Sequence, residues 1–137
     1  MSRRRHQPRF SPADPCPCGL PAPYGACCGR LHRGEAAAAT AEQLMRSRYS
    51  AFVVQDAAYL LRTWHPDDRP PRIGFDPGLR WTGLEVLSAT EGGPFHTEGT
   101  VRFRARFTDG GEPGVMEEHS RFVRQDGAWL YRAALPE

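Results

Sequence analysis

Four cysteines, Cys16, Cys18, Cys27 and Cys28, fall within thirteen residues, and the rest of the 137-residue chain has none. Two close pairs of soft ligands can wrap one ion tetrahedrally. Zinc suits such a donor set, because it imposes no geometry of its own and favours thiolate. Four protein ligands leave no coordination position open, so the zinc is expected to be structural and not catalytic. The alternatives are free thiols or a disulfide between the pairs. A disulfide scaffold spreads its cysteines to staple distant segments, whereas clustering reads as a metal site. Four thiolates on a divalent ion leave excess negative charge. Arg30, Arg33 and nearby backbone amides are expected to offset it. His32 is expected at the surface, with a substitute ligand role as the alternative.

A second group of chemistry-bearing residues lies further along. Arg46 and Arg48 sit about 200° apart on a helix, so at most one of them faces inward. His65, in Trp64-His65-Pro66, is expected at a helix C-terminus, where a cation is favoured. Asp67 or Asp68 would complete a His–Asp pair of the kind a general base needs. Glu118, Ser120 and Phe122 share one face of a strand, and His119 and Arg121 share the other. His119 therefore cannot serve Ser120 as a base. Arg102, Arg104 and Arg106 form a ladder that reads as a solvated sheet face. No phosphate-cradling glycine loop, histidine metal cluster or catalytic cysteine stands out.

The elements that position these groups follow from periodicity. Residues 1–14 read as a flexible basic tail broken by Pro8 and Pro12, and residues 15–34 as a knuckle ordered by metal. Thr40 and Gln43 fit a capping box. Leu44, Met45, Tyr49 and Phe52 then share a helical face. A second helix is expected from near Asp56, with Ala57, Leu60, Leu61 and Trp64 as its stripe and Pro66 as its end. Residues 66–78 read as a loop. After it the period changes to two, clearest over Val101, Phe103, Ala105 and Phe107. Asp126-Gly127 is a two-residue hairpin signal, and Asp109-Gly110-Gly111 marks another turn. Helices first and an antiparallel meander afterwards imply an α+β fold, with helices on one face of the sheet. The chelated protein is expected to lose order over residues 16–34 while residues 40–135 keep theirs.

Composition narrows the function classes. The net charge is +2, which is too small to argue for nucleic acid. Residues 1–39 hold six arginines against Asp14 and Glu35, and the remainder twelve against fourteen acids. No apolar run approaches the ~20 residues of a spanning helix. No apolar segment follows the basic start, so no secretory signal is expected, and the compartment is read as cytoplasmic.

Cys16-Pro17-Cys18-Gly19, then Tyr24 and Cys27-Cys28-Gly29, resemble the SEC-C motif, a small zinc module found at the C-terminus of the SecA translocation ATPase. The lysines usual after its first glycine are replaced here by Leu20-Pro21-Ala22-Pro23. Leu44-Met45-Arg46-Ser47-Arg48-Tyr49-Ser50-Ala51-Phe52, Thr63-Trp64-His65-Pro66, Trp81-Thr82-Gly83-Leu84, Glu118-His119-Ser120-Arg121-Phe122 and Gly127-Ala128-Trp129-Leu130-Tyr131 resemble the YchJ family. The resemblance implies a zinc module followed, over residues 35–137, by a nuclear transport factor 2-like domain, a cystatin-like cone of curved antiparallel sheet wrapped on helices. In such a cone an inward Arg48 is expected to form a buried ion pair with Glu118, with an anion or carboxylate pocket as the alternative. By analogy with the SecA module, a protein partner in translocation or at the ribosome is expected, making the protein an adaptor rather than an enzyme. The alternative is a small-molecule binder or enzyme using the cone's interior, lined by Arg48, Trp64, His65 and Glu118.

Overall fold

A computed structural model describes residues 10–136. Four helical segments open the fold and a sheet closes it. A single helical turn (Tyr24–Ala26) leads into α1 (Cys28–His32), followed by α2 (Ala41–Val54) and α3 (Ala57–Arg62). Strands β1 (Leu79–Glu91), β2 (Glu98–Asp109), β3 (Glu112–Gln125) and β4 (Ala128–Ala134) then form one sheet in the order β1-β2-β3-β4. Every pairing is antiparallel, as a meander requires. Register shifts at Trp81/Gly83, Val86/Ser88 and Arg121/Phe122 interrupt the ladder, and such bulges bend a sheet. Among the described residues no helix is long and apolar enough to cross a membrane.

Local chemistry sets the element ends. Thr40 Oγ1 accepts the Gln43 amide at 3.0 Å and caps α2. The Gln43 side chain does not return to the cap residue. It accepts the amide of Ala39, one residue earlier, at 2.7 Å. Asp56 caps α3 through the Tyr59 amide. The tight turn between β3 and β4 places Asp126 and Gly127 at φ 54° and 82°, the left-handed pair that matches strand twist.

α2 is buried on both sides. Leu44, Met45 and Tyr49 pack with Val101, Ala105, Phe122 and Trp129 of the sheet. Ala51 faces the other way and joins Leu31, Tyr59 and Leu60. Ser47 and Ser50 on this helix are fully buried. Ser47 Oγ donates to Leu44 O at 2.8 Å and meets the Tyr59 hydroxyl at 2.6 Å, which satisfies it locally.

Two sequence expectations need correction. The tail expected over residues 1–14 does not include residues 10–14. Residues 1–9 lie outside the described residues, but from Phe10 the chain is tied to the knuckle. Phe10 packs edge-on against Tyr24, and the carbonyls of Pro12 and Asp14 accept the amides of Gly25 and Tyr24. The second helix stops at Arg62, before Trp64. Thr63 donates its hydroxyl back to Tyr59 O at 2.7 Å. The chain beyond forms a parallel bridge to β4, with Tyr131 N donating to Thr63 O and His65 N to Tyr131 O. Pairing to a strand replaces the last helical turn.

The start of α2 rests on the β1–β2 hairpin, with the Ala41 amide on Gly92 O at 2.9 Å. A Cβ at Gly99 would stand 2.5 Å from Gly92 Cα and 3.3 Å from Ala41 Cβ. Both neighbours are held by backbone, so neither can yield cheaply. Gly99→Ala is expected to destabilise the protein by about 1–3 kcal/mol. Urea denaturation checks this, and an unchanged midpoint would refute the close approach.

Candidate metal centre and interior cavity

The knuckle is a hairpin closed by Cys16 N donating to Ala22 O at 3.0 Å and by the Pro15–Pro23 bridge. Gly19 turns it at φ +92°, a conformation that favours glycine. The helical turn Tyr24–Ala26 then presents Cys27 and Cys28 opposite Cys16 and Cys18. All four sulfurs lie within 4.8 Å of one another, and those of Cys18 and Cys27 are 3.7 Å apart. Four sulfurs bonded to one ion at about 2.3 Å would be about 3.8 Å apart. The donor set and its spacing therefore fit a tetrahedral metal ion.

Without metal the thiols share protons. Hydrogen bonds from Cys18, and then Cys28, hold the Cys16 thiol far below its usual range. The bond to Cys16 pushes Cys18 up to about 12 and raises Cys28 as well. Loading a divalent ion must expel those protons. Binding of zinc at pH 7 is expected to release at least the protons of Cys18 and Cys28, and affinity is expected to fall as pH falls. Calorimetry in buffers of different ionisation enthalpy measures the release, and zinc uptake without proton release would contradict the assignment.

Arg30 and Arg33 do not take the charge-balancing places expected of them. Arg33 pairs with Glu35 at 2.7 Å, and Arg30 Nε donates to Ala26 O. The surroundings come from α2 instead. Arg46 Nη1 donates to Cys18 O at 2.6 Å, and the Ser50 hydroxyl lies 3.7 Å from the Cys16 sulfur. His32 is not at the surface either. It is 9% exposed, and burial lowers its pKa. Its Nε2 donates to Ser47 O at 2.9 Å while its Nδ1 accepts the Tyr24 hydroxyl at 2.6 Å. Arg62 Nη2 donates to the carbonyls of Leu31 and His32 at 3.1 and 3.0 Å. The knuckle is thereby keyed to both α2 and α3.

On the other side of α2 lies a cavity of about 260 Å³. Its body is apolar, lined by Met45, Tyr49, Phe52, Trp81, Phe103, Ala105, Met116 and Phe122. One corner is polar and consists of Arg48, Trp64, Glu118, Ser120 and Tyr131. Of the four residues named for an interior pocket, Arg48, Trp64 and Glu118 line this cavity. His65 does not. Having left the helix, it turns its Nδ1 onto the Asp67 amide at 3.1 Å, and the Asp67 carboxylate is 3.8 Å away and exposed.

The expected Arg48–Glu118 ion pair does not form. Arg48 is 7% exposed, and its Nη1 donates to Leu60 O at 2.8 Å and Thr63 Oγ1 at 2.7 Å. Its guanidinium sits over the rings of Trp64 and Tyr131, at 5.1 and 4.7 Å. Burial lowers its pKa to about 10, so it stays a cation at neutral pH. Glu118 Oε2 accepts the hydroxyls of Ser120 and Tyr131 at 2.7 and 2.8 Å. Tyr131 thus stands between the charges, its ring toward one and its hydroxyl toward the other. On the opposite sheet face Arg104 bridges Glu85 and Glu117 at 3.2 and 2.6 Å, and His119 lies beside Arg102.

Fold and site together define a class: an α+β cone of the nuclear transport factor 2 type, carrying a four-cysteine knuckle at its N-terminal side. The model of the family described as YchJ, middle NTF2-like domain, matches residues 40–134. A UPF0225 protein of Streptomyces coelicolor is 60% identical over 120 residues, covering 88% of this chain and 94% of the relative. One from Streptomyces avermitilis is 58% identical over 130 residues, covering 95% and 89%. The chain belongs to the YchJ (UPF0225) family. The solution structure of a SEC-C motif containing protein from Rhodopseudomonas palustris superposes with a TM-score of 0.76 at 34% identity, covering 89% of this chain and 98% of that one. The crystal structure of another, from Psychrobacter arcticus, gives 0.71 at 26% identity, covering 92% and 85%.

Proposed function

We propose that this protein is a zinc-stabilised small-molecule binder. A structural zinc in the knuckle fixes α2 and α3, and the cone they close holds the ligand. An all-thiolate donor set supports zinc over harder ions, and four protein ligands support a structural role. Cysteines clustered as a metal-type donor set, rather than spread as disulfide staples, also support a cytoplasmic location. The observation that carries ligand binding is the cavity of about 260 Å³ between α2 and the sheet. Interiors are ordinarily filled to crystal density, and an apolar hollow with one polar corner is the usual form of a ligand site. Met116 lines it and is only half-buried, so Met116→Trp would fill the space with little strain on the fold. A panel of single-ring probes (cinnamate, cinnamamide and cinnamylamine) should give saturable shifts of the Trp64 and Trp81 indole resonances in wild type. The shifts should vanish in Met116→Trp at unchanged far-UV signal. A panel in which no probe saturates would refute the reading.

A second reading keeps the knuckle as an adaptor surface. It is favoured by Leu20, which is 42% exposed in the loop between the cysteine pairs. That reading expects a translocation or ribosomal protein partner. Co-sedimentation with purified ribosomes, lost in Leu20→Asp, would support it, and equal sedimentation of both forms would not.

A further inference from the structure

Arg48 has five N–H donors, and the hydrogen bonds it makes use only Nη1. Nε and Nη2 have no hydrogen-bond partner among the described residues, and no described carboxylate is in ion-pair contact with this guanidinium, the charge of Glu118 acting on it only from beyond Tyr131. Those two nitrogens form the edge of the guanidinium that grips a carboxylate through two parallel bonds. Trp64 Nε1 also lacks a partner, but it is sealed from access and is not a donor that a cavity ligand can reach. Both residues line the cavity. The two unused Arg48 nitrogens, unlike Trp64 Nε1, are not sealed from access, so an acceptor placed in the cavity can meet them.

We propose that the ligand of this cavity is a small organic acid, an apolar ring or short hydrocarbon whose carboxylate docks on the Nε–Nη2 edge of Arg48. This rests on the small-molecule reading above and adds the chemical class. The rings of Trp64 and Tyr131 flank the guanidinium and hold the free edge in one orientation. Glu118 fixes the direction of binding. Its charge is already met by two hydroxyls, and it would repel an anion placed at its end of the corner. The aromatic and thioether walls accept the apolar remainder. The volume lies just under the range of about 300–1,000 Å³ usual for ligand pockets, which restricts the acid to roughly one ring.

Arg48 also staples α2 to the end of α3, so its burial alone does not argue for a ligand. The test therefore starts with the unmodified protein. Cinnamate should bind about tenfold or more tightly than cinnamamide, and cinnamylamine more weakly still, because only the acid uses the charged fork. Arg48→Lys keeps a cation at the staple but lacks the fork, and should cost cinnamate about tenfold while leaving cinnamamide nearly unchanged. If all three probes bind alike in wild type, the carboxylate assignment falls and the pocket remains. If none binds, the pocket reading falls and takes this one with it. If Arg48→Lys folds and binds cinnamate as well as wild type does, the fork is not the docking edge.

Discussion

Removing the metal is expected to disorder residues 10–34 and to lower the thermal midpoint of the remaining domain by on the order of 10 °C. The sequence argues for independence, because the knuckle has little apolar content and the body has patterns of its own. The contacts argue for coupling. Leu31 is 2% exposed in the core it shares with Ala51, Tyr59 and Leu60. His32 donates to Ser47 O, and Arg62 donates to two α1 carbonyls. Exposing a leucine costs about 1.5–3 kcal/mol, and each lost hydrogen bond about 1 kcal/mol. The sum of a few kcal/mol is consistent with a shift of that order for a chain of this length. Cys28→Ser should reproduce the effect of a chelator, since Cys28 is the most deeply set sulfur donor of the second pair. Far-UV signal from the sheet should persist below the new midpoint. An unchanged midpoint after verified metal loss would show that the knuckle is held by its own covalent turns and not by the ion.

How far the sequence could be read is visible in particular residues. The meander was legible because each turn carries its own signal, as Asp126-Gly127 does, and each strand alternates with period two. The cysteine cluster was legible from spacing alone. The double burial of α2 was not. Its second face is covered by Leu31, His32 and Tyr59, and a helix packed on two sides loses the amphipathic contrast that periodicity reads. His32 was misplaced for the same reason: its partner is a backbone carbonyl of α2, and carbonyls leave no trace in sequence. The helical stripe through Trp64 failed because a bridge to Tyr131, 67 positions away, outcompetes one more helical turn. Long-range backbone pairing of this kind has no local signature. Arg46 was correctly separated from Arg48 by helical geometry, but its target, Cys18 O, emerged only from the fold.

Arg48→Met is expected to destabilise the domain by about 3 kcal/mol, and Glu118→Ala by about 1–2 kcal/mol, with little coupling between them. The two losses have different causes. Arg48→Met removes the donors to Leu60 O and Thr63 Oγ1 and the cation between two rings. The carbonyl of Leu60 then keeps only the long 3.4 Å bond from the Thr63 hydroxyl as a side-chain partner. Glu118→Ala leaves the hydroxyls of Ser120 and Tyr131 without their acceptor, and Ser120 is 1% exposed. An orphaned buried hydroxyl costs about 1–3 kcal/mol. A direct buried ion pair would behave otherwise. Breaking it from one side would strand the other charge, and Arg48→Met with Glu118→Leu would recover much of the loss. Here Tyr131 intervenes, so the double variant should come within about 1 kcal/mol of the sum of the singles. A double-mutant cycle by urea denaturation decides the matter. A coupling energy above about 2 kcal/mol would mean that the two charges act as one pair. Arg48 would then have its counter-ion inside the protein and no need of a carboxylate from a ligand.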